Sequence, residues 1–525
     1  MFISLVSLFL SAASIPQQDG LILVGPSSST DTFLLDNNGT EVHTWTASTY
    51  QPGQASYLTE SGHLIRTVRV PGLSASSIGG SGGGVEIYDY NDVLISDFFY
   101  ATNDHLLHHD IAVMPNGNIL MIAWEKILDV DVISAGRDAA ITGPFMWSES
   151  ILEVDMTTGS ILWEWHAIDH MVQDRDATKP NYGVIADNQT RLDINQPTNL
   201  PNANDWLHFN AIDYNADLDQ IALSSRVLSE IFIIDHDTTT AQAAGIGGDF
   251  LYRWGNPENY DRGGPADRML QSQHDIQWIA SGSPGAGNLI VFNNGRSGPS
   301  AASTIDEFTP PLDPITGTYA IGLTGAYGPT SLAWTYDPTP SFFGSHTSGC
   351  QRQPNGNTLI CNGPAGELFE VDPAGNTVFN WAYSTTSNPG IFKVRRYQTS
   401  LFQDKNIFHA NTGDAVDFDL AAGSMNAGRP YVIAGTMSGA SPGETIGGLH
   451  IPINIDAFTS ITRSAAYSSF FLNFQGNLDL LGNATAQLVT GPIPAGYVGR
   501  TMHFAYVLLS PLDYSSNATP VEIVL

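Results

Sequence analysis

The sequence predicts an all-β protein, a six-bladed β-propeller followed by a small C-terminal β-sandwich-like domain. Three observations support this: a composition rich in glycine and proline, a hairpin pattern that recurs along most of the chain, and a second hairpin type that alternates with the first. With 51 Gly, 30 Pro and only 14% charged residues, the chain does not suit a helical bundle. With 42% hydrophobic residues, it is also too apolar to be disordered.

The first hairpin type is an apolar strand with period-two alternation, a turn containing Asp or Gly, and a second strand that usually ends in Trp. Clear copies are TFLLDNNGTEVHTW, ILEVDMTTGSILWEW and LFEVDPAGNTVFNW, which begin at positions 32, 151 and 368. Alternation and turn residues of this kind are typical of β-hairpins. Six copies spaced by about 50 to 80 residues predict a radial or stacked repeat.

The second hairpin type supplies the inner strands of each repeat. It is seen in HDIAVMPNGNILMIAW, HFNAIDYNADLDQIALSSR and HDIQWIASGSPGAGNLIVF, which begin at positions 109, 208 and 274. Two hairpins make four strands, which is one propeller blade. We therefore expect a six-bladed propeller over residues 20–415, closed by pairing of the chain's two ends. Its sixth inner hairpin is weakly marked, near FKVRRYQTSLF.

The pattern changes in the last part of the chain, over residues 423–525. Histidines become rare there, while short apolar strands such as YVIAG, ATAQLVTG and RTMHFAYVLLS continue. We interpret this region as a small β-sandwich-like domain with a structural or attachment role.

Residues 1–14, MFISLVSLFLSAAS, are the one candidate targeting segment. The run is apolar and ends in small residues that suit a signal peptidase, although the positively charged start of a good secretory signal is missing. It is too short to span a bilayer. We expect a signal peptide and therefore a periplasmic or secreted protein; the alternative is a buried first strand.

The charge of the chain limits its partners. Acidic residues outnumber basic ones 52 to 20, which gives a formal charge of −32. Such a field repels phosphate backbones, so we expect no nucleic-acid partner. No later stretch approaches the about 20 apolar residues of a membrane span, and a homodimer is left open.

Candidate chemistry lies at the start of the inner hairpins, several of which begin with histidine. They supply His109 in LLHHD, His208 in DWLHFN, His274 in SQHDIQW and His346 in FFGSHTSG. Because blades are related by rotation, equivalent positions converge at one mouth of the central channel. One such histidine is usually structural, but four at nearly the same register indicate a shared site.

Two arginines and two amides are candidates to complete this site. Arg296, in FNNGRSG, follows an inner strand, and Arg226, in LSSRVL, serves either the site or strand packing. A guanidinium matches the geometry of tetrahedral oxyanions. Asn293 and Asn294 offer further hydrogen-bond donors. Histidines and arginine gathered in so acidic a protein predict an anion pocket.

The two cysteines flank a strong turn signal, Pro354-Asn355-Gly356-Asn357. With Asn355 and Gly356 as the central residues of a two-residue turn, Cys350 and Cys361 lie directly opposite each other. A cross-strand disulfide is then geometrically allowed, and export would favour it. The alternative is two buried thiols.

Several segments resemble the bacterial arylsulfate sulfotransferases. They are DWLHFN followed by LSSR, QHD with NNGR, and SGCQRQPNGNTLIC, and the resemblance runs over most of the stretch from Asp31 to Tyr383. It implies a six-bladed propeller exported to the periplasm. It also implies transfer of a sulfuryl group from a phenolic sulfate ester to a phenol, through a sulfohistidine and without the nucleotide sulfate donor.

The resemblance also implies roles for individual residues. His208 matches the family histidine of the DW-x-H segment, His274 the one in QH, and Arg296 the arginine after that blade. His346 best fits the nucleophilic histidine, with His109 and His409 as alternatives. We assign His109 and Asn293 to substrate binding.

These residue types suit sulfuryl transfer. A neutral imidazole can attack sulfur and hold the group covalently, which divides one hard transfer into two easier steps. As in phosphoryl transfer, charge spreads over equatorial oxygens, so cationic donors stabilise the transition state. An imidazole near pH 7 can also protonate a leaving phenolate and deprotonate an acceptor phenol.

Other classes of function remain as alternatives. A non-catalytic exported propeller would keep the fold and bind another anion, and an aryl sulfatase would give the sulfuryl group to water. Zinc or calcium ligation by HHD or the Asp-rich runs lacks the ligand spacing of known loops, so we expect neither a metal nor a cofactor.

Overall fold

A computed structural model describes most of the chain after residue 14. The described ranges are 15–18, 20–59, 62–90, 92–196, 204–295, 301–338, 342–383, 390–397, 400–405, 407–423, 426–440, 442–466 and 468–525. The expected signal peptide, residues 1–14, and Arg296 both lie outside them. None of the helices in these ranges is long and apolar enough to cross a membrane.

Within the described ranges the chain is all-β, and its first part forms six four-stranded antiparallel sheets. The strands of the first three sheets are β1 (Leu21–Val24), β2 (Thr32–Leu35), β3 (Glu41–Trp45), β4 (Pro52–Leu58), β5 (Leu64–Arg69), β6 (Gly83–Tyr88), β7 (Leu94–Phe99), β8 (His105–Val113), β9 (Ile119–Leu128), β10 (Phe145–Asp155) and β11 (Ser160–His166). A short parallel pair, β12 (Met171–Val172) and β13 (Leu192–Asp193), precedes the fourth sheet.

The remaining three sheets follow the same up-and-down order. Their strands are β14 (Phe209–Asn215), β15 (Gln220–Ser225), β16 (Glu230–Asp235), β17 (Tyr252–Trp254), β18 (His274–Trp278), β19 (Leu289–Asn293), β20 (Thr304–Phe308), β21 (Trp334–Tyr336), β22 (Gly349–Arg352), β23 (Thr358–Asn362), β24 (Glu367–Val371) and β25 (Thr377–Ala382). Two short helices, α1 (Asp129–Ser134) and α2 (Thr240–Ala243), lie between strands.

The first sheet is built from two distant parts of the chain. Its innermost strand, β26 (Arg395–Tyr397), pairs antiparallel with β1, and Leu23 lies opposite Arg395. The expected pairing of the two ends is therefore confirmed. The weakly marked segment FKVRRYQTSLF contributes one inner strand and not the hairpin that we expected, because the next strand leaves for another sheet.

The innermost strands of successive sheets contact one another, from β4 to β8, β14, β18, β22 and β26. Buried aspartates tie three of these contacts together, each carboxylate accepting a hydrogen bond from a backbone amide of the next sheet. The bonds run from Ile212 N–H to Asp110 (3.2 Å), from Trp278 N–H to Asp213 (2.7 Å) and from Cys350 N–H to Asp275 (2.9 Å). A carboxylate that accepts a hydrogen bond from a backbone amide keeps the ends of adjacent strands aligned.

Two more sheets follow, in the order β27-β29-β35-β33 and β28-β38-β36-β30-β34, with β37 on β36. Their strands, with a separate β31–β32 pair and helix α3, are β27 (Leu401–Gln403), β28 (Ile407–His409), β29 (Asp414–Ala421), β30 (Pro430–Thr436), β31 (Glu444–Ile446), β32 (Leu449–Ile451), α3 (Ala457–Ser464), β33 (Phe471–Leu472), β34 (Gln475–Asn477), β35 (Asn483–Thr490), β36 (Thr501–Leu508), β37 (Tyr514–Ser515) and β38 (Thr519–Val524).

These two sheets share one apolar core, in which the rings of Phe418 and Phe504 lie 5.0 Å apart. Because β27 and β29 pair within them, the C-terminal sheets begin at Leu401, earlier than the boundary at Gly423 that composition suggested. The drop in histidine content therefore shows where the candidate site residues end along the chain. It does not show where the first six sheets end.

The cysteine pairing inferred from the turn signal is wrong. Cys350 lies opposite Ile360 and Cys361 opposite Gly349, and both thiols are free and buried. The turn holds three residues and not two, since the Gln353 amide bonds the carbonyl of Asn357 and Gly356 adopts φ 94°. A one-residue slip in register sends paired side chains to opposite faces of the sheet.

Candidate functional site

Four histidines converge from four consecutive sheets, the third to the sixth. His109 lies in β8, His208 directly precedes β14, His274 begins β18, and His346 lies just before β22. The rings of His109 and His208 are 4.5 Å apart, and the Thr347 amide donates to Nε2 of His274 at 3.2 Å. The structure brings these four side chains together, and with Arg226 we call them the histidine cluster.

Backbone strain is concentrated where these strands begin. Pairing with the next strand shifts register after Leu107, Phe209 and His274, which marks a bulge or irregularity in the middle of β8 and at the start of β14 and β18. His109 and His208 adopt φ values of 51° and 52°, in the left-handed region. Such conformations cost about 1–3 kcal/mol each, and bulges re-aim side chains next to active sites.

His208 is held by a carboxylate that precedes it by three residues. Its Nδ1 lies 2.5 Å from Oδ2 of the buried Asp205. An imidazole that donates Nδ1–H to a carboxylate presents the lone pair of Nε2 on its other side. Sequence reasoning did not use Asp205, although it stands in the DWLHFN segment itself.

His109 belongs to a buried chain of three side chains. Its Nδ1 lies 2.8 Å from Nδ1 of His108, and Nε2 of His108 lies 2.7 Å from Oε2 of Glu149. Trp124 stacks on His108 at 3.9 Å. On the other side, a Cβ on Gly80 would lie 1.9 Å from the His109 ring, so only glycine fits there.

His274 is engaged on both ring nitrogens. Nδ1 contacts Oδ1 of Asn294 at 2.7 Å, while Nε2 accepts from the Thr347 amide. The pKa of His274 falls to about 3, first because the ring is buried and then because Arg226 is close. In this arrangement His274 is a neutral ring that holds the segment next to His346.

His346 is the exposed member of the cluster. Its Nδ1 lies 2.8 Å from the Ser345 hydroxyl, and in the described part of the chain its Nε2 has no hydrogen-bond partner. Partial burial and the nearby Arg226 lower its pKa. The imidazole is therefore neutral, with a lone pair available, at pH values where a free histidine starts to protonate.

Arg226 supplies positive charge close to three of these rings. It follows β15, and its backbone amide bonds the carbonyl of His208 at 3.2 Å. Among the described residues no hydrogen bond or ion pair engages its guanidinium. After burial, its charge helps to lower the pKa of His274 and His346 and also, as a smaller contribution, that of His109. Arg226 thus lies close to the histidines.

Other predicted residues lie elsewhere. The Asn293 amide bonds Gln271, Met269 and Asp306, so its assignment to substrate binding is not supported; side chains alternate along a strand, and Asn294 faces His274 instead. His409 lies in the C-terminal sheets, where it contacts Asp414 at 2.9 Å. Arg296 falls outside the described residues.

A second cluster of buried charges adjoins the histidines, and sequence reasoning missed it. Lys393 Nζ lies 2.6 Å from Asp110 and 3.3 Å from Asp275. The guanidinium of Arg395 donates two hydrogen bonds, of 2.5 and 2.9 Å, to the carboxylate of Asp275. The Tyr57 hydroxyl donates to Asp110 at 2.9 Å. We call these five residues the ion cluster.

The ion cluster lies directly beside the site. The Phe392 ring is 6.1 Å from His109 and 6.4 Å from His274, and the next residue along the chain is Lys393. Burial alone would raise the pKa of Asp275, but Arg395 and Lys393 outweigh it and lower that pKa. In the described ranges no group of three or more His, Cys, Asp or Glu is arranged to hold a metal ion.

A comparison with known protein families shows which family this chain belongs to. The model of the family named arylsulfotransferase (ASST) matches residues 11–385, which is more than half of the sequence. The chain belongs to the arylsulfotransferase family. The match contains all four histidines of the cluster and Arg226, and it ends before β26.

Other comparisons are remote. No curated protein matches the sequence. A protein of unknown function from Bacteroides caccae is 11% identical with a TM-score of 0.40, covering 72% of this chain and 98% of its own. A virginiamycin B lyase from Staphylococcus aureus is 10% identical with a TM-score of 0.35, covering 71% and 84%. A streptogramin B lyase is 11% identical with a TM-score of 0.34, covering 77% and 92%.

Proposed function

We propose that this protein is an arylsulfate sulfotransferase that carries the sulfuryl group on His346. The observation that carries the proposal is Arg226, whose guanidinium has no partner among the described residues and lies among histidines from four sheets. Such a guanidinium is suited to bind the oxygens of a sulfate ester. Membership of the arylsulfotransferase family supports the same chemistry.

His346 is the best nucleophile in the cluster for geometric reasons. His274 has both nitrogens occupied, and His109 and His208 are only 4% and 7% exposed, so His346 is the most accessible ring of the four. His346 is exposed, and its Nδ1 is positioned by Ser345 while Nε2 has no hydrogen-bond partner among the described residues. A neutral imidazole with one nitrogen oriented by a neighbour and the other free is an activated nucleophile.

The reaction takes place in two balanced steps. The Nε2 lone pair of His346 attacks sulfur, the bond between sulfur and the aryl oxygen breaks, and its electron pair leaves with the phenolate. An acceptor phenol then gives its proton to a neighbouring imidazole of the cluster, which passes it on to solvent. The phenol oxygen attacks sulfur, and the nitrogen–sulfur bond returns its electrons to His346. Arg226 stabilises the charge on the sulfuryl oxygens in both transition states. No nucleotide donor is needed.

We also propose that the six sheets close into one six-bladed propeller. The contacts between successive innermost strands and the pairing of β26 with β1 support a closed ring. Closure would bring the histidines to one end of a central channel that the ion cluster fills. Export to the periplasm or beyond the cell, inferred from residues 1–14, stays a prediction.

The test is a donor and acceptor assay on the purified protein. With 4-nitrophenyl sulfate, we expect a burst of nitrophenolate without acceptor and sustained release once phenol is added. Steady release that ignores phenol would indicate a sulfatase. Absence of both burst and turnover would overturn the proposal and leave a binding protein whose cluster holds another anion.

A further inference from the structure

Glu149, His108 and His109 form a buried row of hydrogen-bonded side chains that ends in the histidine cluster. The attack of His346 on sulfur, as proposed above, does not use this row. All three side chains are buried, and their contacts of 2.7 and 2.8 Å are continuous hydrogen bonds from the carboxylate to the ring of His109. The other oxygen of Glu149 accepts the Phe209 amide at 2.9 Å, which fixes the carboxylate. Among the described residues, Nε2 of His109 has no hydrogen-bond partner, and its ring lies 4.5 Å from that of His208.

We propose that Glu149, His108 and His109 form a proton relay that stores the proton exchanged with the phenols of the sulfuryl transfer. The proposal rests on the sulfotransferase function proposed above and assigns its acid and base. Glu149 and His108 are positioning residues, and His109 is the group that meets the phenol oxygen.

With both rings neutral, the hydrogen bonds permit two states. When Glu149 is protonated, it donates to Nε2 of His108, Nδ1–H of His108 donates to Nδ1 of His109, and Nε2 of His109 carries a proton. When Glu149 is ionised, every hydrogen shifts by one position, and Nε2 of His109 holds a lone pair. Both rings stay neutral in either state.

The proton balance closes over one cycle. In the first step Nε2–H of His109 protonates the leaving phenolate, a proton moves from His108 to His109, and Glu149 gives its proton to His108. In the second step the acceptor phenol gives its proton to Nε2 of His109, and the same shifts return a proton to Glu149. No imidazolium forms at any point.

Burial explains why a relay is needed. It lowers the pKa of both His108 and His109 well below the usual value, so a charged imidazolium is not available as the acid. Burial and the neighbouring Asp205 raise the pKa of Glu149, so this carboxyl group can hold a proton. A buried carboxylic acid joined to two neutral rings thus supplies a proton that neither ring supplies alone.

The decisive variant is Glu149→Gln. Because the amide oxygen keeps the bond from Phe209, the NH₂ group faces His108 and holds the relay in its protonated state without releasing a proton. Nitrophenolate leaves as a stable anion, so the burst should stay within about threefold of wild type. The relay is then still protonated, and in wild type it gives this proton to solvent before phenol reacts, which the variant cannot do. Transfer to phenol should fall by about 100- to 10,000-fold, the usual contribution of general acid–base catalysis. More acidic phenols, already ionised in the assay, should recover most of the rate.

If Glu149 had only a structural role, the variant would lower the burst and the rate of transfer to every acceptor equally, and that result would overturn the relay. Glu153→Gln is the matched control, since Glu153 also contacts a histidine, His236, at 3.2 Å outside the cluster. Both steps should be unchanged in this control.

Histidine ¹⁵N NMR tests the relay even if wild type shows no sulfuryl transfer, which would be a failure of the proposed function alone. As pH rises, ionisation of Glu149, which faces His108, Asp205 and Glu125, should switch the tautomers of His108 and His109 together. In Glu149→Gln they should not switch. Tautomers that stay fixed in wild type, or that change one without the other, would overturn the relay, whether or not Glu149→Gln folds.

Discussion

His109 and Asp110 are neighbours in β8, and His274 and Asp275 are neighbours in β18, yet their side chains join different clusters. In the histidine cluster, Nε2 of His346 and the guanidinium of Arg226 have no hydrogen-bond partner within the described ranges. In the ion cluster, the carboxylates of both aspartates are bonded to cations. Adjacent residues on one strand thus serve chemistry on one side and stability on the other.

The difference has a physical basis. A buried charge is expensive unless it is paired, and removing one partner from a buried pair costs about 3–5 kcal/mol. A site that binds an anion must keep a cation unpaired, so that cation lies where solvent reaches it. The comparison predicts that changes in the histidine cluster reduce rate with little loss of stability, and that changes in the ion cluster do the reverse.

The largest effect is expected from His346→Ala. Loss of the nucleophile should reduce turnover of 4-nitrophenyl sulfate by about 10⁴-fold or more, because the covalent route disappears. The unfolding midpoint should change little, since the side chain is exposed. His409→Ala is the control, because His409 is also an exposed histidine but lies in the C-terminal sheets. Equal losses of turnover in both variants would contradict the assignment of His346 as the nucleophile.

Lys393→Met should have the next largest effect, on stability. It leaves Asp110 without its cation and should lower the free energy of unfolding by about 3–5 kcal/mol in urea titrations. Lys126→Met, which removes a half-buried lysine 3.5 Å from the exposed Asp104, should cost about 1 kcal/mol or less. A Lys393 variant that is stable but inactive would move Lys393 into the catalytic machinery.

Arg226→Ala should lower the rate of sulfuryl transfer by about 10²–10³-fold, the usual cost of losing one donor to a developing oxyanion. Stability should be kept, because no partner of the guanidinium is left buried among the described residues. Arg463→Ala, an exposed arginine on α3, is the control for net charge. Stopped-flow measurement of the nitrophenolate burst separates this effect from substrate saturation.

The smallest effect is expected from Tyr57→Phe in the ion cluster. The change removes one hydrogen bond to Asp110 and should lower the free energy of unfolding by about 1 kcal/mol. The burst with 4-nitrophenyl sulfate should be the same as in wild type. A tenfold slower burst would show that the two clusters are coupled.

The sequence predicted the repeat, the alternation of two hairpin types and the four histidines, because each depends on local patterns that recur. It did not predict the roles of Lys393 and Arg395, because β26 is a three-residue strand without a turn signal. The position of β26 depends on its pairing with β1, which lies far away in the sequence. Glu149 was equally hidden, because it lies in β10, two strands away from β8, and its contact with His108 depends on the register of the strands between them.

Two errors came from treating local signals as complete. The turn at Pro354-Asn355-Gly356 has three residues, so the register of Cys350 and Cys361 slipped by one position. For Asn293 and Asn294, the segment NN gave no sign of which amide faces the site. Strand alternation decides that only when the register is known.

The central claim is that His346 carries the sulfuryl group. The most direct test is to mix wild-type protein with 4-nitrophenyl sulfate without acceptor, quench under alkaline conditions, and map the modified peptide by mass spectrometry. We predict one sulfuryl group on the peptide that contains His346, lost when phenol is added before the quench. A sulfuryl group on His208 or His109, or turnover with no modified peptide, would contradict the account.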